Sequence, residues 1–190
     1  MSEASEVGSV SLKQAASRRR WLLAGVAATA AFTGVGVAWG RMRREETAGL
    51  PDVQSTLWDL SLPTPDGKTL HLATLRGKPL LLNFWAPWCP PCVEELPLLS
   101  RFAQDTAARG WQVLGVAVDQ LLPVQQFLVK TPLAFPVVLA GMPGLSLSKR
   151  LGNLAGGLPF TIVLNPGGDV VPRKMGRVSP DDLRAWAALT

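Results

Sequence analysis

Apolar residues in this chain gather into short unbroken runs, set apart by breaks rich in proline and glycine. Pro79 to Trp85 (PLLLNFW), Trp111 to Val118 and Phe160 to Leu164 are such runs, and each reads as a strand, the first of them largely buried. Cys92 to Ala108 and Pro123 to Lys130 read as helices, and Leu145 to Leu151 as a short one. Asn165-Pro166-Gly167-Gly168 makes a turn into Asp169 to Lys174, and Ser179-Pro180-Asp181-Asp182 opens a last helix with a capping residue followed by proline and acids. Nearer the N-terminus, Leu57 to Leu60 and Thr69 to Leu72 flank a Pro-Asp-Gly-Lys turn, which predicts a β-hairpin ahead of the main sheet. Strands alternating with helices, then a closing hairpin and helix, specify an α/β fold with a central mixed sheet flanked by helices.

One apolar stretch is of another kind. Trp21 to Gly40 runs for twenty residues without a charge, and as a helix it would span about 30 Å, the thickness of a bilayer core. Arg18, Arg19 and Arg20 precede it, and Ser17-Arg18-Arg19-Arg20-Trp21-Leu22-Leu23 resembles a twin-arginine export signal with Trp in the usual Phe position. No A-x-A cleavage site follows the core, so an uncleaved anchor with a cytoplasmic basic flank stands beside the cleaved signal as a reading. Both export the rest of the chain. The expected organisation is a basic cytoplasmic N-terminus over 1–20, a signal or transmembrane anchor over 21–40, a linker over 41–49 and a folded domain over 50–190.

Charge adds little beyond this. The chain of 190 residues is 47% hydrophobic and 17% charged, with a net charge of +5. Residues up to Gly49 carry seven Lys/Arg against four acids, which leaves only +2 for the domain. Arginines clustered beside an apolar span serve topology and anionic lipid, so the high pI gives little support for nucleic-acid binding.

Both cysteines stand in one segment, Trp88-Cys89-Pro90-Pro91-Cys92, at a strand-to-helix junction. A thiol at a helix N-terminus meets unpaired N–H groups and the positive dipole end, which favour the thiolate, the nucleophilic form. Cys89 is therefore the expected attacker. Cys92, about one turn in, is the group expected to resolve the mixed disulfide. Pro90 and Pro91 remove two backbone N–H groups from the loop that would stabilise that thiolate. A static bridge would close a longer loop than this one, and a structural zinc site needs four ligands where the chain has two cysteines and one distant histidine, His71. No metal and no cofactor beyond a redox-active disulfide is expected.

The run Arg76-Gly77-Lys78-Pro79-Leu80-Leu81-Leu82-Asn83-Phe84-Trp85-Ala86-Pro87-Trp88-Cys89-Pro90-Pro91-Cys92, with Glu95-Leu96-Pro97 and Gly157-Leu158-Pro159-Phe160-Thr161 in that order, resembles the thioredoxin superfamily. More narrowly, it is similar to the TlpA/ResA group of membrane-tethered thiol-disulfide oxidoreductases, over nearly all of Leu50 to Thr190. The resemblance implies a thioredoxin-like fold and a cis bond before Pro159, which with Leu158 would present backbone to an extended substrate segment. Asn83 stands where thioredoxin has a buried aspartate, and it cannot exchange protons with Cys92. Glu95 matches the active-site glutamate of the ResA-like group and would take over that work, accepting the Cys92 proton. Trp85 and Trp88 would pack around the cysteines, Trp88 also toward substrate.

The expected function is an extracytoplasmic reductase of protein disulfides, in or exported across the bacterial inner membrane and facing the periplasm. The resemblance implies electrons from a membrane donor of the CcdA/DsbD kind, with apocytochrome c in cytochrome c biogenesis as one client. A DsbA-like oxidase would run the same exchange in reverse, but DsbA-like proteins usually carry a large helical insertion, and the stretch from Val118 to Phe160 is short for one. A Sco-like copper-handling role would need Cys-x-x-x-Cys and a downstream histidine, both missing here.

Overall fold

The computed structural model describes residues 53–188. The basic N-terminus, the signal or anchor over 21–40 and the linker over 41–49 lie outside these residues. Among the described residues no helix is long and apolar enough to cross a membrane.

The described chain opens with a short helix α1 (Val53–Trp58), followed by strands β1 (Ser61–Pro63) and β2 (Thr69–His71) and a 3-10 turn over Leu72–Leu75. Then come β3 (Leu80–Trp85), α2 (Pro90–Thr106), β4 (Gln112–Ala117), α3 (Leu121–Lys130) and β5 (Val137–Leu139). The chain closes with α4 (Pro143–Arg150), β6 (Phe160–Leu164), β7 (Val170–Met175) and α5 (Pro180–Ala187). β1 and β2 pair antiparallel, Ser61 opposite His71. The first strand of this pair therefore falls later than the Leu57–Leu60 expected from sequence. Leu57 and Trp58 end α1 instead and are buried, since packing of two large apolar side chains outweighs a weak local strand preference.

The other strands form one sheet in the order β5-β4-β3-β6-β7. β3 pairs parallel with β4 and antiparallel with β6, so the strand leading to the cysteines is the central one. Its six residues are all buried, as are those of β6, because helices cover both faces of the sheet. Alternation along β3 divides the core. Leu81 and Trp85 face a cluster with Cys92, Leu96, Leu99 and Phe102 of α2 and Leu183 and Trp186 of α5. Leu80, Leu82 and Phe84 face Leu57 and Trp58 of α1 and Leu147 of α4 on the other side. β5 and α1 have no counterpart among the elements expected from sequence. β5 is three residues long and follows Pro136, and its place comes from pairing Val137 and Val138 with Gly115 and Val116 rather than from local pattern.

Candidate active site

β3 ends at Trp85, and in the turn that follows the amide of Cys89 donates to the carbonyl of Ala86 at 3.1 Å. Cys89 is the N-cap of α2. Pro90 and Pro91 take the first helical positions, where a missing N–H costs nothing and a fixed φ favours the helix. The next two amides, of Cys92 and Val93, both donate to the carbonyl oxygen of Cys89 at 3.1 Å. Little donor capacity is left for a Cys89 sulfur. The oriented dipoles of a helix of 17 residues remain to favour charge there.

Cys89 and Cys92 are joined by a disulfide with their Cα atoms 5.3 Å apart. Cys89 retains 4% of its surface and Cys92 none, so the sliver of access belongs to the first cysteine. Trp85 is wholly buried in the cluster that contains both cysteines. Trp88 differs from the expectation that it packs around them: it is 60% exposed, next to Cys89 in the chain. It offers an apolar platform rather than core filling.

Glu95 lies one helical turn beyond Cys92 and on the same face. The buried stripe of α2 runs through Cys92, Glu95, Leu96, Leu99 and Phe102, so a carboxyl group occupies a core position. It is 1% exposed. Asn83 Nδ2 donates to its Oε1 at 2.7 Å, and the Val178 amide donates to its Oε2 at 2.7 Å. Burial pushes its pKa up from 4.5 to about 6, against the pull of those two hydrogen bonds and of the nearby Arg177 and Lys174 charges. Glu94, its neighbour in sequence, forms an exposed ion pair with Arg177 at 2.6 Å.

The Leu158–Pro159 peptide bond is cis. Leu158 is half-buried and packs against the cluster that holds the cysteines, and the carbonyl of Pro159 accepts from the Gly176 amide at 2.9 Å. The loop before it is tied down by Asn153, a fully buried residue whose Nδ2 donates to the carbonyl of Gly157 at 2.8 Å and to Ser148 Oγ at 3.1 Å. Neither Asn153 nor Thr161, which accepts from Asn83 at 2.9 Å, is among the residues that sequence reasoning picks out for a role. Thr161 has a signal: it is the one polar residue in an apolar run, as Asn83 is in its own. Asn153 sits among glycines in a small apolar loop, where nothing local marks it. Among the described residues, no group of three or more His, Cys, Asp and Glu could hold a metal ion.

A central mixed sheet flanked by helices, with a Cys-x-x-Cys disulfide capping the helix after its central strand and a cis-proline before an antiparallel neighbour, defines a thioredoxin-like thiol-disulfide redox enzyme. The chain belongs to the Redoxin family, whose model matches residues 46–187. It is 34% identical to the thiol-disulfide oxidoreductase ResA of Halalkalibacterium halodurans over 65% of this chain and 66% of that one. The chain spans about two thirds of the length of the curated relatives it matches. Among solved structures it is similar to MTB DsbF in its mixed oxidised and reduced forms, with 30% identity and a TM-score of 0.61, over 74% of this chain and 98% of that one. A thiol:disulfide interchange protein of the thioredoxin family from Chlorobium tepidum TLS gives 30% identity and a TM-score of 0.61, over 68% of this chain and 91% of that one.

Proposed function

We propose that this enzyme is an extracytoplasmic reductase of protein disulfides, tethered to or exported across the bacterial inner membrane. The observation that carries the reading is the arrangement around the disulfide: a cysteine with a sliver of exposure at a helix N-terminus, a sealed partner, and a buried carboxyl one turn further on. In the reduced enzyme the Cys89 thiolate attacks one sulfur of a substrate disulfide. That S–S bond breaks, the attacked sulfur stays bonded to Cys89 as a mixed disulfide, and the other substrate sulfur leaves as a thiolate. Cys92 then gives its proton to Glu95 and attacks the Cys89 sulfur, which releases the second substrate sulfur and regenerates the enzyme disulfide. A proton affinity that burial brings near neutrality suits Glu95 to receive that proton and pass it on.

Trp88, Leu158 and Pro159 would meet the substrate, the first by an apolar face and the others by backbone pairing with an extended segment. Asn83, Trp85, Pro90 and Pro91 would support the pair by shape and by limiting its donors. The name thiol-disulfide oxidoreductase borne by the ResA relatives supports the chemistry in either direction. Re-reduction by a membrane dithiol donor of the CcdA/DsbD kind, and apocytochrome c as a client, complete the reading. The test is the equilibrium reduction potential of the protein, followed by tryptophan fluorescence in thiol–disulfide buffers. A value toward the thioredoxin end, about −270 mV, is the expected result, whereas one near −120 mV would make the protein a disulfide donor and overturn the reductase assignment.

A further inference from the structure

β3 and β6 are apolar except for one residue each, Asn83 and Thr161, and the antiparallel register sets these two opposite one another. Both are completely buried. The Asn83 amide divides its two hydrogens between Glu95 Oε1, at 2.7 Å, and Thr161 Oγ1, at 2.9 Å. Its own Oδ1 is left buried without a partner. A buried orphan oxygen is unfavourable, so something must fix the amide this way round. Turning it end for end would bring Oδ1 against an ionised carboxylate, acceptor against acceptor. The amide is thus oriented by Glu95, and Glu95 in turn accepts on both oxygens, from Asn83 on one side and the Val178 amide on the other.

We propose that Asn83, braced by Thr161, is a positioning residue: it presents a fixed donor to Glu95 and so holds the carboxyl in the orientation and charge state in which it takes the Cys92 proton. This rests on the role assigned to Glu95 above. The other groups around Glu95 are few. Lys174 on β7 is engaged with Asp182 of α5 at 2.5 Å, Arg177 in the loop after β7 is engaged with Glu94, and Cys92, on the same helix face, is held in the disulfide and carries no proton in the oxidised protein. Asn83 and the Val178 amide donate to the carboxyl, and of the two only Asn83 can be altered by side-chain substitution.

The experiment follows the Glu95 carboxyl by carbon NMR through a pH titration of the oxidised full-length protein, in the parent and in Asn83→Ala, Thr161→Val and Thr161→Ser. Loss of a donor to a buried carboxylate should raise the titration midpoint by about one pH unit in Asn83→Ala. Thr161→Val, nearly isosteric, should raise it by less in the same direction, and Thr161→Ser should restore the parent midpoint. Midpoints that stay put or fall in Asn83→Ala and Thr161→Val overturn the proposal. If Asn83→Ala does not fold, the Val and Ser pair decides alone. The rate of mixed-disulfide resolution against pH, measured in the same proteins, separates the two ideas. A break that moves with the Glu95 midpoint supports both, whereas a moved midpoint with an unmoved break upholds the placement of Glu95 by Asn83 and overturns the proton-acceptor role.

Discussion

At the scale of single residues, the site is a contrast between two cysteines and one carboxyl group. Cys89 keeps the only access to solvent that the pair has, and Cys92 is sealed beneath it. A Cys92→Ala protein should therefore stop after the first attack and accumulate substrate on Cys89. Non-reducing electrophoresis of the protein recovered from cells is expected to display mixed-disulfide adducts that a Cys89→Ala protein lacks. Recovery of disulfide-free Cys92→Ala protein alone would count against Cys89 as the attacker. Glu95 carries a stability signature of its own. Its folded pKa, about 6, lies above the ordinary 4.5, so the folded state holds its proton more tightly than the unfolded chain does. Its contribution is most favourable below about pH 4.5 and declines as pH rises to about 6, above which it is constant. The decline amounts to about 2 kcal/mol, since one pH unit between the folded and unfolded values corresponds to about 1.4 kcal/mol. Denaturant titrations of parent and Glu95→Gln across that range should diverge by this amount, the parent losing stability as pH rises while the variant does not share the decline. Parallel curves would remove Glu95 as a buried titrating group.

At the scale of elements, the two ends of the chain's last loop hold the carboxyl in place. The Gly176 amide, just past β7, reaches the Pro159 carbonyl, and α5 begins at Ser179 with a reciprocal capping box. The Ser179 hydroxyl accepts from the Asp182 amide at 3.2 Å, while Asp182 Oδ2 accepts from the Ser179 amide at 2.7 Å. Between these anchors the Val178 amide is held against Glu95. Ser179→Ala should cost about 1 kcal/mol of stability through the lost cap, as chemical denaturation would measure, and a cost near zero would mean that other contacts anchor the start of α5. The elements themselves are unevenly legible. β3, β4, β6 and α2 follow from continuous apolar runs and the helical spacing after them, because those patterns record burial on both faces of a sheet. The first hairpin strand reads too early in the chain, since Leu57 and Trp58 look like strand residues locally and are drawn into α1 by the core beneath them. β5 escapes detection because a strand of three residues has too little periodicity to register.

At the scale of the whole molecule, the described fold is a redox module, and the stretch from Trp21 to Gly40 is its proposed tie to the membrane. An uncleaved anchor would keep the full chain in the membrane pellet after a carbonate wash, and removal of residues 1–40 should send it to the soluble fraction. Release of the chain into the wash would favour a cleaved export signal. The Cys-x-x-Cys motif, its place at a strand-to-helix junction and the α/β order were determined by sequence alone, because they depend on residue type and short spacing. The sequence also flags Glu95 as an acid on the face of α2 that carries Cys92. Only the tertiary structure decided what surrounds that acid. Asn83 and Thr161 stand seventy-eight positions apart, and Val178 eighty-three beyond Glu95. Strand register and the packing of α2 over β3 bring these groups within hydrogen-bond reach. Local sequence cannot express such a pairing, because what enforces it is the cost of leaving polar groups unpaired inside an apolar core assembled from distant segments.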